Sequence, residues 1–354
     1  MTVCLVTGGA GFIGSHVVEA LLARGESVRV FDNFTTGSKT NLDSVQEEIE
    51  VIVGDVTDSV AVRKAMQGVE LVFHLAALAP APSQGIDPLV VHHVVATGTL
   101  HVLQAAREVQ ARRVVFAGSA NVYRSEDDAP RQESDPTAPR SLYSIAKLTA
   151  EDYCTAFHQI YGLDTVRLRY FNVFGPRQSA GNLHAELVAR LLQSMSAGKR
   201  PLLRGDGRQK RDFTYVGDVV QANLLAADAP RVAGKVYNIA TGQPTSLLDL
   251  VAAINEVLGA KLSVIQDRGA DDGPRHLWAN IVQAQTELGY CPCTDLMRDL
   301  RSCLSMDPES LEADPIQVRW DGPTAPRGQR PVGITSAPSL ANETVGKVTT
   351  AESR

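Results

Sequence analysis

The 354-residue sequence has no excess of positive charge and no long hydrophobic run at its start. Its 34 Lys and Arg residues are outnumbered by 40 Asp and Glu residues, and a net charge of −6 does not suit a general nucleic-acid or anionic-membrane surface. The first apolar segment is short and contains glycines, unlike a signal peptide or a membrane span. We therefore expect a cytoplasmic protein with no nucleic-acid partner and no membrane partner.

Cysteine is scarce as well, and its spacing is irregular. The five cysteines are Cys4, Cys154, Cys291, Cys293 and Cys303. Cys291 and Cys293 have no second pair with which to complete a metal site, and an odd number of thiols does not indicate a disulfide framework. We expect reduced thiols, typical of a reducing compartment, and no metal.

The most informative stretch is residues 3–22, where an apolar β-type run enters a glycine cluster and continues at helical spacing. In a dinucleotide-binding turn, the first glycine permits a tight turn, the second lets a pyrophosphate approach and the third lets the helix pack on its strand. The phosphates lie at the positive end of the helix dipole. We predict that this turn binds a dinucleotide through Gly8, Gly11, Phe12, Ile13 and Gly14. The alternative is a plain strand-helix-strand unit with a glycine turn.

Asp32 ends the second β-type run and follows Gly14 by 18 residues. A carboxylate at this place accepts hydrogen bonds from a ribose 2′-hydroxyl and repels a 2′-phosphate, so it favours NAD over NADP. The polar stretch that begins at Asn33 is expected to form a loop near the adenosine end of the cofactor.

Two further β-type runs end in residues suited to a ligand. Asp55 follows the third run, and its carboxylate either hydrogen-bonds the adenine amino group or caps the next helix. The fourth run leads into Ala76 and Ala77, whose small side chains leave room for a ligand. His74 lies inside this apolar run, and we expect a core histidine rather than a catalyst.

The alternation of strands and helices predicts an α/β fold with a doubly wound parallel sheet. The fifth β-type run ends at Ser119, at the sheet edge where ligands bind. Beyond residue 173 the pattern loosens, and in the last part Pro, Gly, Ser and Thr dominate. We predict an NAD-binding domain over 1–173 with later returning segments, a smaller α/β lobe over 174–306, and an extended or disordered tail over 307–354.

Tyr143 and Lys147 are four residues apart at the start of a predicted helix that runs to about Tyr161. The spacing puts both side chains on one face. Because a lysine cation favours a phenolate, we predict that Lys147 lowers the pKa of Tyr143 and makes it a general base near neutral pH. By spacing alone the pair would be a solvated helix face. Ser119 and the glycine turn favour the catalytic interpretation.

Together these segments resemble the extended short-chain dehydrogenase/reductase family, and within it the nucleotide-sugar epimerases related to UDP-glucose 4-epimerase. The resemblance covers about residues 1–304 and implies a Rossmann sheet. The matching segments are GGAGFIG at 8–14, Asp32-Asn33, GDVTD at 54–58, HLAA at 74–77, YSIAK at 143–147, RYFNVFGPRQ at 169–178, RDFTYVGDV at 211–219 and YNIATG at 237–242.

The resemblance implies catalytic roles for Ser119, Tyr143 and Lys147. Tyr143 would take the proton from the sugar 4-hydroxyl while C4 gives a hydride to NAD, and Ser119 would hydrogen-bond the same oxygen. Lys147 would bind the nicotinamide ribose. The 4-keto sugar would then turn and receive the hydride on its other face. The implied substrate is a UDP- or dTDP-hexose, and Asn33 and Val56 join the implied NAD contacts.

The residues after Ser119 separate subclasses of the family. Family dehydratases carry Asp-Glu where this chain has Ala120 and Asn121, and family decarboxylases carry Glu at the position of Asn121. Neither residue of this chain supplies that acid or base, which favours epimerisation. The alternatives are an NAD-dependent 4-ketoreductase or oxidoreductase, less readily a decarboxylase or dehydratase, and a non-catalytic binding protein.

The implied substrate contacts are Asn172, Leu183, Arg211, Arg268, Arg275 and Leu277. The planar guanidinium of Arg211 suits a phosphate. Either Arg268 or Arg275 would replace the second phosphate-binding arginine of the family, whose spacing differs here. Leu277 falls where the size of a wall residue sets tolerance for N-acetyl sugars, and leucine does not decide the question. Another departure is Val95, where the family usually has Asn. A homodimer through helices at about 88–109 and 143–161 is also expected.

Overall fold

The computed structural model describes residues 2–78, 87–123, 127–178, 187–267 and 276–304. Its strands are β1 (Val3–Thr7), β2 (Ser27–Asp32), β3 (Ile49–Val53), β4 (Leu71–His74), β5 (Arg113–Ser119), β6 (Thr165–Tyr170), β7 (Val173–Phe174), β8 (Leu202–Arg204), β9 (Lys210–Asp212), β10 (Thr214–Tyr215), β11 (Val236–Ile239), β12 (Pro244–Ser246), β13 (Ile265–Asp267) and β14 (His276–Leu277). Its helices are α1 (Phe12–Ala23), α2 (Ser59–Ala65), α3 (Pro88–His92), α4 (Gly98–Glu108), α5 (Leu142–Tyr161), α6 (Leu187–Ser196), α7 (Val216–Asp228), α8 (Leu247–Leu258), α9 (Val282–Leu288) and α10 (Leu296–Leu304). Leu183, Arg268, Arg275 and the predicted tail over 307–354 lie outside the described residues.

Seven parallel strands form the central sheet, in the order β3-β2-β1-β4-β5-β6-β11. The predicted doubly wound α/β fold is confirmed. The chain first builds outward from β1 through β2 and β3 and then adds β4 on the other side of β1. At this reversal the connections leave the carboxyl ends of β1 and β4 in opposite directions, which opens a crevice for a ligand.

Helices cover both faces of the sheet and bury it. On one face, Val17 and Leu21 of α1 pack in one core with Ala222 of α7. On the other, Val102 of α4 and Cys154 of α5 belong to a second core. All seven residues of β5 are buried, as expected for a strand covered on both sides.

The stretch Pro88–Glu108 is long and apolar enough to be a candidate membrane span. Here α3, a π-helical turn at His93–Thr97 and α4 follow one another, and these 21 residues could cross a membrane by length and composition alone. Half of the stretch is buried inside the protein, and Val102 and Leu103 pack in the core on the sheet. A core helix passes the same test, so burial accounts for this composition.

A second lobe follows β6 and has its own apolar core. Phe174, Leu191, Leu203, Leu250 and Leu300 meet there from β7, α6, β8, α8 and α10. Small sheets with the strand orders β10-β7, β12-β9-β14 and β13-β8 accompany these helices. The smaller C-terminal α/β lobe predicted from the sequence is therefore present.

The sixth strand of the chain, β6, ends where the backbone leaves the central sheet. β6 ends at Tyr170, and Asn172 adopts a φ of +31° before the chain starts β7 at Val173. A positive φ is uncommon for a residue other than glycine and often marks a functional site. The bend carries the backbone from the large sheet to the small lobe.

Hydrogen bonds to other segments set where α9 begins, at Val282. The backbone N–H of Ala279 donates to Asp212 Oδ2 over 3.4 Å, and that of Asn280 donates to the carbonyl of Arg131 over 2.9 Å. These donors hold the preceding residues extended, so the helix starts after them.

Candidate active site

The turn between β1 and α1 packs directly against the end of β4. Gly8 has a φ of +71°, and a Cβ atom on it would lie 2.7 Å from the backbone nitrogen of Ala76. A Cβ atom on Gly14 would lie 2.1 Å from the carbonyl oxygen of Gly8. Only glycine satisfies both the left-handed conformation and the close approach, so the turn keeps the shape that a pyrophosphate needs.

The start of α1 faces this crevice without a side-chain cap. Gly11 is the N-cap residue, no side chain accepts from the first turn, and the N–H of Gly11 itself donates to Gly8 O over 3.1 Å. The N–H groups of Phe12 and Ile13 lie in this uncapped first turn, at the positive end of the helix dipole. This arrangement fits a dinucleotide pyrophosphate.

Asp32 is buried beside the turn, at the end of β2. Its Oδ2 accepts from the N–H of Ala10 over 3.0 Å, and its Oδ1 accepts from the N–H of Phe34 over 2.8 Å. Burial raises the pKa of the carboxyl, while these backbone donors oppose the shift. The carboxylate is thus fixed next to the glycine turn, where the ribose of a dinucleotide would lie.

Asn33 and Asp55 meet one strand further along the sheet edge. Asn33 Nδ2 donates to Asp55 Oδ2 over 2.7 Å, and Asp55 Oδ1 accepts from the N–H of Thr57 over 2.8 Å. Asp58 caps α2 by accepting from the N–H groups of its first turn, so the helix-capping role considered for Asp55 is wrong. Val56, the next residue, is buried. Two of the predicted NAD contacts, Asn33 and Asp55, are therefore hydrogen-bonded to each other.

Local hydrogen bonds fix the start of the helix that carries Tyr143. Ser141 Oγ accepts from the N–H of Ser144, and Ser144 Oγ accepts from the N–H of Ser141, which together form a capping box. The helix therefore begins at Leu142, and the four-residue spacing places Tyr143 and Lys147 on one face.

Lys147 connects the helix that carries Tyr143 to the carboxyl end of β5, where Ser119 is the last residue. Lys147 is 2% exposed, and its Nζ donates to the carbonyl of Ala117 over 2.7 Å, two residues before Ser119. The same Nζ lies 5.8 Å from the ring centroid of Tyr143. Ser119 Oγ accepts from the N–H of Asn121 over 3.2 Å. The predicted catalytic side chains thus lie on two elements packed against each other.

Burial, rather than mutual attraction, sets the proton affinities of this pair. It raises the pKa of Tyr143 above its usual value and lowers the pKa of Lys147 from 10.5 to about 8. The prediction that Lys147 lowers the pKa of Tyr143 is therefore wrong for the chain by itself. Desolvation of the phenolate is the cause of the rise.

Tyr143 packs against a small cluster of apolar side chains. Its ring packs against Val91, Val95 and Ala146, with Ala77 at the edge of the same cluster. Val95, where the related family has Asn, is 1% exposed inside the π-helical turn. Here this position packs against Tyr143, the predicted catalytic tyrosine, and offers no hydrogen-bonding side chain.

His74 is a core histidine, as predicted. Thr99 Oγ1 donates to the carbonyl of Val95 over 2.6 Å, so His74 Nε2 donates to Thr99 Oγ1 over 2.9 Å. His74 Nδ1 then accepts from Thr7 Oγ1 over 2.7 Å. Burial lowers the pKa of His74 to about 3, which keeps the ring neutral. Sequence reasoning did not single out either threonine, although each is a polar residue in an apolar segment.

The described substrate candidates gather at the boundary between the lobes. Asn172 Nδ2 donates to the backbone carbonyl of Asp212 over 3.0 Å, and Arg211 pairs with Leu277 between β9 and β14. Leu277 is 2% exposed and packs in one apolar cluster with Ala120, the residue after Ser119. The predicted contacts Asn172, Arg211 and Leu277 are thus brought together, whereas Asp212 was missed by the sequence analysis.

Comparisons with known proteins agree with this geometry. The profile of the NAD dependent epimerase/dehydratase family matches residues 4–240. A putative UDP-glucose 4-epimerase of Methanocaldococcus jannaschii is 33% identical over 299 residues, which cover 84% of this chain and 95% of the relative. The crystal structure of a Thermotoga maritima UDP-glucose 4-epimerase with UDP-glucose matches with a TM-score of 0.81 and 31% identity, covering 88% of this chain and 100% of that chain.

A Thermus thermophilus UDP-glucose 4-epimerase solved with NAD matches with a TM-score of 0.77 and 32% identity, covering 86% of this chain and 98% of that chain. The family profile spans the glycine turn, the Asp32 carboxylate and the Ser119, Tyr143 and Lys147 cluster. The chain therefore belongs to the NAD-dependent epimerase/dehydratase family.

Proposed function

We propose that this protein is an NAD-dependent nucleotide-sugar 4-epimerase that acts on a UDP- or dTDP-hexose. The observation that carries the proposal is that buried Lys147 lies between the ring of Tyr143 and the last residues of β5, the strand that ends at Ser119, in the sheet that also holds the dinucleotide turn. The family relatives named above are UDP-glucose 4-epimerases, which supports the same choice.

Bound NAD supplies the chemistry of hydride acceptance and return, and the chain's own side chains handle the proton. Tyr143 exchanges a proton with the sugar 4-hydroxyl, and Ser119 hydrogen-bonds the same oxygen. Because burial raises the pKa of Tyr143, the phenol needs added positive charge to ionise near neutral pH. Lys147 already lies 5.8 Å from the ring centroid, so the added charge would be that of oxidised nicotinamide.

The residues after Ser119 favour epimerisation over elimination or decarboxylation. Ala120 is buried, and Asn121 follows it in the same short 3₁₀ turn. Neither side chain is a carboxylic acid, so these positions cannot supply the acid and base that water elimination needs. A site with only Ser, Tyr and Lys is sufficient for a redox-neutral hydride shuttle.

The outer faces of α3 and α5 support a homodimer. Apolar residues there are 49% to 69% exposed, which leaves them free to pack against a second copy, and they are Leu89, Leu142, Ile145, Ile160 and Tyr161. Symmetric pairing of such faces gives a closed assembly. We place the enzyme in the cytoplasm, with no nucleic-acid or membrane partner, from its net charge of −6 and its free cysteines.

The decisive assay incubates the purified protein with UDP- and dTDP-hexoses and resolves the C4 epimers by NMR. In deuterium oxide, internal return of the hydride leaves C4 undeuterated. Catalytic turnover needs no added NADH. The Tyr143→Phe variant is the matched control. Consumption of one NADH per product would instead indicate a ketoreductase, and the absence of any C4 epimer would contradict the proposal.

A further inference from the structure

We propose that Asp212 is a positioning residue that holds the nucleotide-sugar contacts Asn172, Arg211 and Leu277 in their working arrangement. This inference rests on the proposed function, because it assumes that these three residues touch the substrate. The three come from the bend after β6, from β9 and from β14, which are far apart in sequence. Asp212 is connected to all of them.

The carboxylate of Asp212 is fully buried and connects three segments of the chain. Its Oδ1 accepts from both the N–H and the Oγ1 of Thr241, over 2.8 and 2.6 Å. Its Oδ2 accepts from the N–H of Gly242 over 2.9 Å and from that of Ala279 over 3.4 Å. The side chain is 0% exposed. One side chain thus fastens β9 to the turn after β11 and to the segment after β14.

These donors explain why the position carries a carboxylate. Each donor is a neutral N–H or O–H group, and both carboxylate oxygens are used. An asparagine would offer one acceptor oxygen and an NH₂ group, and that NH₂ group would face donors. Burial raises the pKa of Asp212, while the four hydrogen bonds favour the ionised form. The four donors therefore require a side chain with two acceptor oxygens.

The backbone of Asp212 extends the connection to the predicted substrate contacts. Its carbonyl accepts from Asn172 Nδ2 over 3.0 Å, which holds a residue with a φ of +31°. Its neighbour Arg211 pairs with Leu277 in the β9–β14 register. Ala279, which donates to the carboxylate, lies two residues beyond Leu277. If the Asp212 carboxylate lost these hydrogen bonds, Arg211 and Leu277 would be free to shift relative to each other.

Asp218 provides a matched control. It is 4% exposed, and its carboxylate accepts from the N–H groups of Cys293 and Thr294 over 2.8 and 2.9 Å and from Thr294 Oγ1 over 2.5 Å. Like Asp212 it is a buried acid with neutral donors. Its partners lie in the loop before α10, which contains no predicted substrate contact.

The experiment compares Asp212→Asn and Asp218→Asn as NAD-containing full-length enzymes. Loss of one or two hydrogen bonds to a charged ligand weakens binding by about 10- to 100-fold, so we expect Asp212→Asn to raise the KM for the nucleotide sugar and the Kd for free UDP by about that factor. Its kcat at saturation and its bound NAD should match wild type. Asp218→Asn should lower the Tm comparably and leave KM and Kd unchanged. Equal KM changes in the two variants would overturn the proposal.

Two further variants keep the test decisive. If Asp212→Asn does not fold, Thr241→Val removes one donor to the carboxylate and should produce a smaller rise in the same KM, and no rise would overturn the proposal. Arg211→Met tests the underlying site through UDP binding alone. If Arg211→Met leaves the Kd for UDP unchanged, the proposed substrate site is wrong. If it weakens UDP binding while Asp212→Asn does not, the role assigned to Asp212 is wrong.

Discussion

Replacing Lys147 by Met should stabilise the NAD-free protein at neutral pH, or leave its stability unchanged, while it abolishes most of the activity. Lys147 is 2% exposed, and its Nζ is held by the carbonyl of Ala117 at 2.7 Å and by ring contacts with Phe116 and Tyr143. Burial lowers its pKa from 10.5 to about 8. The charged form of Lys147 is therefore less favourable in the folded protein than in the unfolded chain.

The magnitude follows from linkage. At about 1.4 kcal/mol per pH unit, the fall of the Lys147 pKa to about 8 corresponds to about 3 kcal/mol of folding free energy lost when the lysine is charged. Methionine has a similar length and no charge, but it leaves the Ala117 carbonyl without the lysine donor, which costs about 1–3 kcal/mol. The expected net change is a gain of about 0–2 kcal/mol at pH 7.

The sign also predicts a pH dependence. Because the folded-state pKa of Lys147 is lowered, wild-type stability should rise between about pH 8 and pH 10.5, where the unfolded chain binds the proton and the folded chain does not. Urea unfolding of NAD-free wild type and Lys147→Met across this range measures the difference. The advantage of the variant should shrink as the pH rises. A variant that is less stable by the same amount at pH 7 and pH 10 would refute the reasoning. Adding NAD should stabilise wild type more than the variant, because Lys147 is also assigned to the cofactor.

Tyr143→Phe keeps the ring that packs on Val95, so NAD content should persist while turnover falls by about 10²–10⁴-fold; wild-type turnover would rule out the hydride-shuttle role. Ser119→Ala should lower kcat/KM less than Tyr143→Phe does, because it removes one oriented hydrogen bond to a charged group, worth about 1.5–3 kcal/mol of transition-state stabilisation. A larger loss of kcat/KM in Ser119→Ala than in Tyr143→Phe would contradict the assigned roles. Ile160→Asp, at a residue 69% exposed on α5, should yield monomers by light scattering, whereas Val53→Asp, equally exposed on β3, should not. Deleting 314–354 should leave the Tm and turnover nearly unchanged, because that composition buries little area, and a large fall in Tm would show that it packs on the body.

The sequence alone predicted the local elements of the candidate cofactor site. Glycines at 8, 11 and 14, the acid at 32 and the four-residue spacing of Tyr143 and Lys147 act over one turn or one strand, so periodicity and residue type identify them. Ser119 was also placed correctly, because a parallel strand ends at the edge where ligands bind. The doubly wound sheet follows from the alternation of such units.

Tertiary structure decided the electrostatics and the long-range connections. Whether Lys147 lowers the pKa of Tyr143 depends on how deeply α5 packs on β5, and that burial reverses the sequence-based expectation. The start of α9 at Val282 and the positioning role proposed for Asp212 both involve the hydrogen bond between Ala279 and Asp212, which are 67 positions apart. Neither leaves a local pattern, because a donor in one segment and an acceptor in another become partners only when the fold brings them together.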